Sequence, residues 1–380
     1  MATKRPKTPV RTSAAPGSDV EPVDQEDFDP DPTPDPDPEP VAYSGTDFDV
    51  EGLVRRLNRG DILIPTFGHG DPSIEMAGFQ RSFVWRKPQM DRFIESLLLG
   101  YPIPGIFLVL QADKRYLVLD GQQRLRTLEQ FFEGIHAGKV FALEGVGLRF
   151  KGLTYKTLPE DLRRTLDNTF IQATVVRTDG SAQSLDAVYQ VFERLNSGGT
   201  LLTSHEIRVA LYAGAFIDFL TALNREKYWR LLYGLESNRL RDQELVLRVL
   251  ALYVSPGTYK RPLKSYLNDF VAPHRNLEKL DIDVLRSRFV DATALLLEGA
   301  GASALRRGAS QVNAALTEAI LVGLMRRLDT APKPIAAKVG TAVGRFAADP
   351  EVEPTISRAT ADEESVRTRL AAATRFMADT

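Results

Sequence analysis

Five consecutive residues at one corner of the chain combine an acid with residue types that can contact an anion. In the stretch RYLVLDGQQRLRTLEQFF (115–132) an apolar run ends at Asp120, which is followed by Gly121, Gln122, Gln123 and Arg124. The residues after them repeat at helical spacing, so the corner joins a predicted strand to a predicted helix. A helix start presents unpaired N–H groups, a glycine allows close approach to the backbone, and an arginine can bind a phosphate through two hydrogen bonds.

The same residues allow other interpretations. Asp120 can hold a metal, a hydroxyl or the arginine itself, and Gln122 and Gln123 can donate and accept without adding charge. Alternatively, Asp120 only caps the helix and Arg124 is a surface charge. The corner is not a Walker loop, because no glycine-rich run ends in Lys-Ser/Thr, and it is not the dinucleotide fingerprint GxGxxG.

Two other stretches combine polar and special backbone residues. FQRSFVWRKPQ sets Gln80 and Arg81 among aromatic side chains, and FERLNSGG places Glu193, Arg194 and Asn196 where a predicted helix ends in glycines. The first stretch can also be a loop that its aromatic residues anchor to the core. The second can also be a polar helix end with Asn and Gly.

The elements that must position these residues change along the chain. IFLVLQ and RYLVLD are apolar runs separated by ADK, which predicts two strands joined by a tight turn, and FIQATVVRT predicts another strand. From Thr203 and Glu206, which form a predicted capping box, the pattern is nearly all helical. His205 within that box is predicted to lie on the helix surface. We therefore expect an α+β domain over 45–200 and an all-α domain over 201–380.

Composition excludes several classes of protein. The 380 residues contain no cysteine, which excludes disulfides, thiolate metal sites and cysteine nucleophiles. No apolar stretch approaches the roughly 18 residues of a membrane span, and the N-terminus lacks the apolar core of a signal peptide. The sequence therefore predicts a cytoplasmic protein with no membrane contact.

Residues 1–42 differ from the rest in charge and proline content. They carry ten acids, four bases and 10 of the 23 prolines, so their net charge is −6 and that of the remaining chain is +4. Such a segment has little apolar surface to bury, which predicts a disordered acidic tail. It either keeps the protein soluble or competes for a basic groove on the body.

Four motifs in a fixed order resemble a known family. FQRSFVW, PIPGIFLV, YLVLDGQQRLRTL and FERLNSGGTLLTSHEIRVAL are similar to the N-terminal domain of GmrSD-type modification-dependent restriction endonucleases. That domain resembles the ParB/sulfiredoxin-like nuclease fold, in which a Gly-polar-polar-Arg corner handles a nucleotide or a phosphate. The resemblance covers roughly residues 60–215, and it implies a small mixed sheet with helices followed by a helical region.

The resemblance also implies a function and a set of site residues. It implies NTP binding and hydrolysis with Mg²⁺, coupled to restriction of DNA, including modified DNA, in phage defence. Asp120, Gln123 and Arg124 would be catalytic, and the nucleotide or phosphate would be bound by Gln80, Arg81, Gly121, Gln122, Arg194 and Asn196. The metal ligands stay unassigned.

One departure from the family pattern concerns the nuclease. Full-length relatives carry a second, HNH-like domain that depends on histidine, whereas this chain has four scattered histidines and none after residue 280. We therefore expect a single-domain member that lacks the HNH-like domain and works with a separate nuclease or effector subunit.

Three functions stay open at this stage. The first is a DNA-sensing module that binds and hydrolyses an NTP and licenses cleavage by a partner nuclease. The second is a non-catalytic regulatory partner of a toxin or nuclease. The third is a stand-alone ParB-like DNA nuclease with Asp120 and Glu193 as metal ligands, which ranks last because metal-dependent cleavage usually needs several convergent carboxylates.

Overall fold

The structure is a computed structural model that describes residues 40–64, 85–195, 202–237, 239–307, 311–330 and 334–380. Gln80, Arg81 and Asn196, which the sequence nominated as binding residues, lie outside the described residues, as does most of the predicted acidic tail.

The first half of the chain contains a mixed five-stranded sheet. The described part of this half has seven strands in two sheets: β1 (Tyr43–Asp49), β2 (Ile62–Leu63), β3 (Ile106–Leu110), β4 (Tyr116–Asp120), β5 (Ile135–His136), β6 (Lys139–Val140) and β7 (Phe170–Arg177). The order in the sheet is β1-β7-β3-β4-β2, while β5 and β6 form a separate ribbon. β3 runs parallel to β7 and antiparallel to β4, so the predicted pair of strands with a tight turn is confirmed.

Helices cover the sheet of the first half. They are α1 (Val50–Asn58), α2 (Lys87–Leu98), α3 (Gln122–Glu133), α4 (Glu160–Asp167) and α5 (Ala182–Leu195). α1 begins at Asp49, whose carboxylate accepts the N–H of Gly52. α2 buries the apolar stripe of Met90, Phe93, Ile94 and Leu97, as its sequence period predicts.

The second half is helical in its described part. Its helices are α6 (Ser204–Leu211), α7 (Ala215–Asn224), α8 (Lys227–Tyr233), α9 (Arg241–Val254), α10 (Leu263–His274), α11 (Ile282–Ala300), α12 (Ala314–Thr330), α13 (Ala336–Ala347) and α14 (Glu363–Ala378). Thr203 and Glu206 form the predicted capping box at the start of α6. The predicted fold class, an α+β part followed by an all-α part, is confirmed. Within the described residues, no helix is long and apolar enough to cross a membrane.

The sheet separates two hydrophobic cores. Ile106, Leu108 and Val118 belong to the core formed with α1 to α4. Val109 and Leu119 alternate with them and belong to the core formed with α5 and the helices of the second half. Strand side chains alternate between faces, so this period of two explains how both faces are covered. The division at about residue 200 stays a prediction, because α5 shares its core with the later helices.

Candidate functional site

The corner between β4 and α3 depends on Gly121. Its φ of 98° lies in the left-handed region, where a side chain is strained. A Cβ atom at this position would lie 2.5 Å from Cγ2 of Ile106, a residue of the neighbouring strand. The chain can therefore turn from strand to helix this tightly only with glycine, and the residues that follow start the helix next to the end of β3.

Arg124 is held at this corner by two acceptors. Its Nη2 donates to Oδ2 of Asp120 at 2.7 Å and to the carbonyl oxygen of Gly105 at 3.0 Å. The Arg124 side chain is only 14% exposed, whereas that of Asp120 is 54% exposed. The alternative of a free surface charge is thus wrong for Arg124, because its guanidinium fastens α3 to the segment before β3.

Part of the hydrogen-bonding capacity of Arg124 is unused. Its Nε is buried and has no acceptor among the described residues. Arginine carries five N–H donors in a planar fork, and the two contacts above use only Nη2. A phosphate or carboxylate oxygen is the kind of acceptor that the remaining donors require.

The start of α3 offers further donors. Gly121 supplies no side chain to cap the helix. The first backbone N–H of this turn with a backbone acceptor is that of Leu125, which donates to the carbonyl of Gly121. The N–H groups of Gln122, Gln123 and Arg124 have no acceptor in the described part of the chain. Together with the positive end of the helix dipole, they form an environment that favours an anion.

The two amides of the corner differ in their contacts. Oε1 of Gln123 accepts the backbone N–H of Trp85 at 3.1 Å, and the carbonyl of Gln123 accepts the hydroxyl of Thr127. Gln123 therefore connects the corner to the segment that precedes α2, which is a positioning contact. Gln122 is half-buried, and its role as a binding residue stays a prediction.

Arg194 lies in the last turn of α5, and its side chain is exposed. α5 begins four residues after β7 and shares a hydrophobic core with residues of β3 and β4. Asp120 is the last residue of β4 and pairs with Phe107, near the start of β3. The convergence of Arg194 with the Asp120–Arg124 corner stays a prediction.

Glu193 and Asp120 are both bound to cations of the protein. Lys264 Nζ lies 3.0 Å and 3.3 Å from the two carboxylate oxygens of Glu193. Within the described residues, no group of three or more His, Asp or Glu side chains could hold a metal ion. The role of Asp120 and Glu193 as metal ligands stays a prediction.

His205 was predicted to lie on the helix surface, and this prediction is wrong. The side chain is completely buried, with Nε2 3.0 Å from Oε1 of Gln243 and Nδ1 3.3 Å from Nη1 of Arg208. Burial lowers the pKa of His205 to about 4. The helical period of α6 could not reveal that His205 is buried, because the residues that cover it, such as Gln243, are distant in sequence.

Comparison with known proteins gives one match. Residues 63–213 match the family model of the GmrSD restriction endonuclease, N-terminal domain. No curated protein and no solved structure matches the chain, so the likeness of its sheet to the ParB fold stays a prediction. The matched range contains β3, β4 and α3, and it associates the chain with DNA restriction in phage defence. Residues 63–213 of this chain, which include the Asp120–Arg124 corner, are thus similar to the GmrSD restriction endonuclease N-terminal domain.

Proposed function

We propose that this chain is the nucleotide-binding, DNA-sensing part of a restriction system and that it licenses cleavage by a partner nuclease. The observation that carries the proposal is the state of Arg124. Its guanidinium is mostly buried and fixed by Asp120 and Gly105, yet its Nε has no acceptor within the part of the chain that the structure describes, and it lies beside a helix start. This arrangement suits the phosphates of an NTP.

The start of α3 is pre-organised for a phosphate. The backbone N–H groups of its first turn and the guanidinium of Arg124 are positioned by the fold before any ligand arrives. A pre-organised site loses less side-chain freedom on binding, so more of the interaction energy contributes to affinity. Hydrogen bonds from charged donors to phosphate are about twice as strong as neutral ones.

Asp120 is the residue of the corner that suits Mg²⁺. Only one of its carboxylate oxygens accepts from Arg124, and the side chain is exposed. Mg²⁺ is usually held by one or two carboxylates, waters and substrate phosphates, so a single aspartate beside a phosphate site fits this ion. When bound, Mg²⁺ would neutralise charge on the phosphates. Asp120 would orient the ion and keep Arg124 in place.

One contact supports the other proposed binding residues. Trp85, which follows Gln80 and Arg81 along the chain, donates its backbone N–H to Gln123 at the corner. Arg194, in the last turn of α5, is exposed, and it is proposed as a further phosphate ligand. Asn196 follows two residues later, and its participation stays part of the proposal.

The non-catalytic alternative is favoured by one observation. Among the described residues of the corner, Asp120 is the only carboxylate, and it is paired with Arg124. Amides and a protonated guanidinium are poor general bases. Such a site would hold a nucleotide and regulate a neighbouring nuclease or toxin without turning the nucleotide over.

Three assays on the purified full chain separate these functions. Nucleotide affinity is measured by calorimetry, phosphate release is measured with Mg²⁺, and plasmid integrity is followed on gels with modified and unmodified DNA. NTP turnover supports the licensing module, and binding without turnover supports the regulatory one. Absence of NTP binding refutes the proposal.

A further inference from the structure

An open groove with basic and aromatic walls lies between α1 and the C-terminal part of α3. Its volume is about 370 Å³, and its walls include Arg55, Asn58 and Arg59 from α1 and its C-terminal end, Phe132 from α3, and Tyr155. This is within the size range of small-molecule sites. Phe132 stands ten residues after Gln122, about 15 Å along the helix axis, so the groove is separate from the Asp120–Arg124 corner.

The basic wall consists of two arginines one turn apart. Arg55 and Arg59 are both exposed, and among the described residues neither has a carboxylate within ion-pair distance. Their neighbour Arg56 behaves differently, because its guanidinium lies 5.3 Å from the centre of the Phe48 ring. The end of a helix favours basic residues. This preference, however, does not explain why Arg55 and Arg59 face a groove lined by aromatic rings.

The aromatic wall is a fixed pair of rings. Tyr155 stacks on Phe132 with ring centres 4.0 Å apart and an angle of 22° between the planes. The Tyr155 hydroxyl donates to Oδ1 of Asp167 at 3.0 Å, which holds the ring in place. Burial and the Asp167 carboxylate raise the pKa of Tyr155 to about 12, so the phenol is neutral at physiological pH. The pair therefore offers a rigid, uncharged stacking surface.

The charges of the groove favour an anion. Glu51 is the single acid among the lining residues, against Arg55 and Arg59. Asp167 lies behind the Tyr155 hydroxyl and is only half-exposed. α1, which carries the two arginines, precedes the part of the chain that matches the family model. The groove is thus a feature that the match by itself does not explain.

We propose that this groove binds one nucleotide of single-stranded DNA, with its phosphate at Arg55 and Arg59 and its unpaired base against the Tyr155–Phe132 pair. Bases stack on aromatic side chains whatever their sequence, and basic residues follow the backbone in single-strand sites. The inference rests on the proposed function only in naming DNA as the partner, and it does not require the NTP site.

The first test removes the basic wall. The affinity of the full chain for a fluorescein-labelled oligothymidylate is measured by anisotropy between about 50 and 200 mM salt. Replacing both arginines (R55A and R59A) should weaken binding roughly ten-fold at the lower salt and reduce the salt slope by about 0.7, the value for one phosphate contact on a single strand. The matched control replaces two exposed basic residues of the helical half, K338A and R358A, with the same change in charge.

The second test separates the ring from the hydroxyl. Tyr155→Phe keeps the stacking ring and should retain affinity, whereas Tyr155→Leu should weaken binding roughly five-fold or more, the scale of one lost base stack. Thermal unfolding of both variants identifies any loss of fold. If Tyr155→Leu does not fold, the arginine pair still decides the question.

Several outcomes would overturn the inference. These are an equal loss in the control pair, no loss in the arginine pair, and a wild-type chain that does not bind oligothymidylate. A lower affinity for free ATP in the arginine pair, with DNA binding unchanged, would show that the groove binds a free nucleotide instead. Because the NTP site is probed through Arg124, failure of the groove and failure of the proposed function give different results.

Discussion

Nη2 of Arg124 lies 2.7 Å from Oδ2 of Asp120, across the first turn of α3. The same nitrogen donates to the carbonyl oxygen of Gly105, in the segment before β3. One guanidinium therefore holds a helix start against the sheet and also adds positive charge beside the first turn of α3. This double role means that changes at Arg124 affect both stability and ligand affinity, and the two effects have to be measured separately.

Replacing Arg124 with alanine should weaken nucleotide binding by roughly 1.5–3 kcal/mol, the scale of hydrogen bonds to a charged group. It should also lower the free energy of unfolding by about 1–2 kcal/mol, since the Gly105 carbonyl loses its partner. Calorimetry measures the first effect and urea unfolding the second. The control is Arg126→Ala on the same helix, which removes only a pair with Glu129. Lower stability with unchanged nucleotide affinity would assign Arg124 a structural role alone.

Replacing Gly121 with alanine should lower the free energy of unfolding by roughly 2–4 kcal/mol, because backbone strain at positive φ adds to overpacking against Ile106. Gly134 provides the control. Its φ is 80°, and a Cβ there would have no atom within 4 Å, so Gly134→Ala should cost only the strain, about 1 kcal/mol. The two variants are compared by urea unfolding. Equal losses would show that the contact with Ile106 is relaxed at little cost.

His205 should make the protein less stable in acid. Burial depresses its pKa to about 4 in the folded state, below the unfolded value of about 6.5. The unfolded chain therefore binds the extra proton first, and stability should fall by up to roughly 3 kcal/mol as the pH drops from 6.5 to 4. The measurement compares unfolding of the wild type and His205→Gln across this window, with His136→Gln as the control. Parallel curves for wild type and His205→Gln would contradict the assignment.

The acidic tail should be dispensable for folding. Truncation after residue 39 spares Val41, which packs against the core, and Ala42, whose carbonyl accepts the N–H of Arg177. Circular dichroism and thermal unfolding of the truncated chain should match those of the full chain, because the segment has little apolar surface to bury. DNA affinity at low salt should rise, since a net charge of −6 is removed. A lower melting temperature would show that the tail packs on the body.

The purified chain should not cut double-stranded DNA efficiently by itself. Asp120 and Glu193 are each paired with a basic side chain, and the described residues contain no carboxylate or histidine cluster that could hold a metal. Cleavage should appear only when a partner nuclease is added, and it should depend on nucleotide. Plasmid assays with Mg²⁺ and NTP measure this. Strong cutting by the chain alone that disappears in Asp120→Ala would favour the stand-alone nuclease.

The sequence was most informative where the decisive interactions are local. The apolar runs of β3 and β4, the stripe of α2 and the capping box of Thr203 and Glu206 each depend on residues close in sequence. The corner was predictable for the same reason, because Asp120 to Arg124 are consecutive and a glycine between a strand and a helix has few conformations. The four motifs, which occur in the order of a known family, indicated the association with DNA restriction.

Only the tertiary structure decided what these residues contact. The sequence places two aromatic residues next to each other near the end of α3, and the structure buries the ring of Phe131 while Phe132 lines the groove beside Tyr155. His205 is buried because α6 packs against a helix more than 30 residues away in sequence. Arg124 is fixed by Gly105, which belongs to another segment. Such contacts join distant parts of the chain, so they depend on how the sheet and helices pack and leave no local pattern in the sequence.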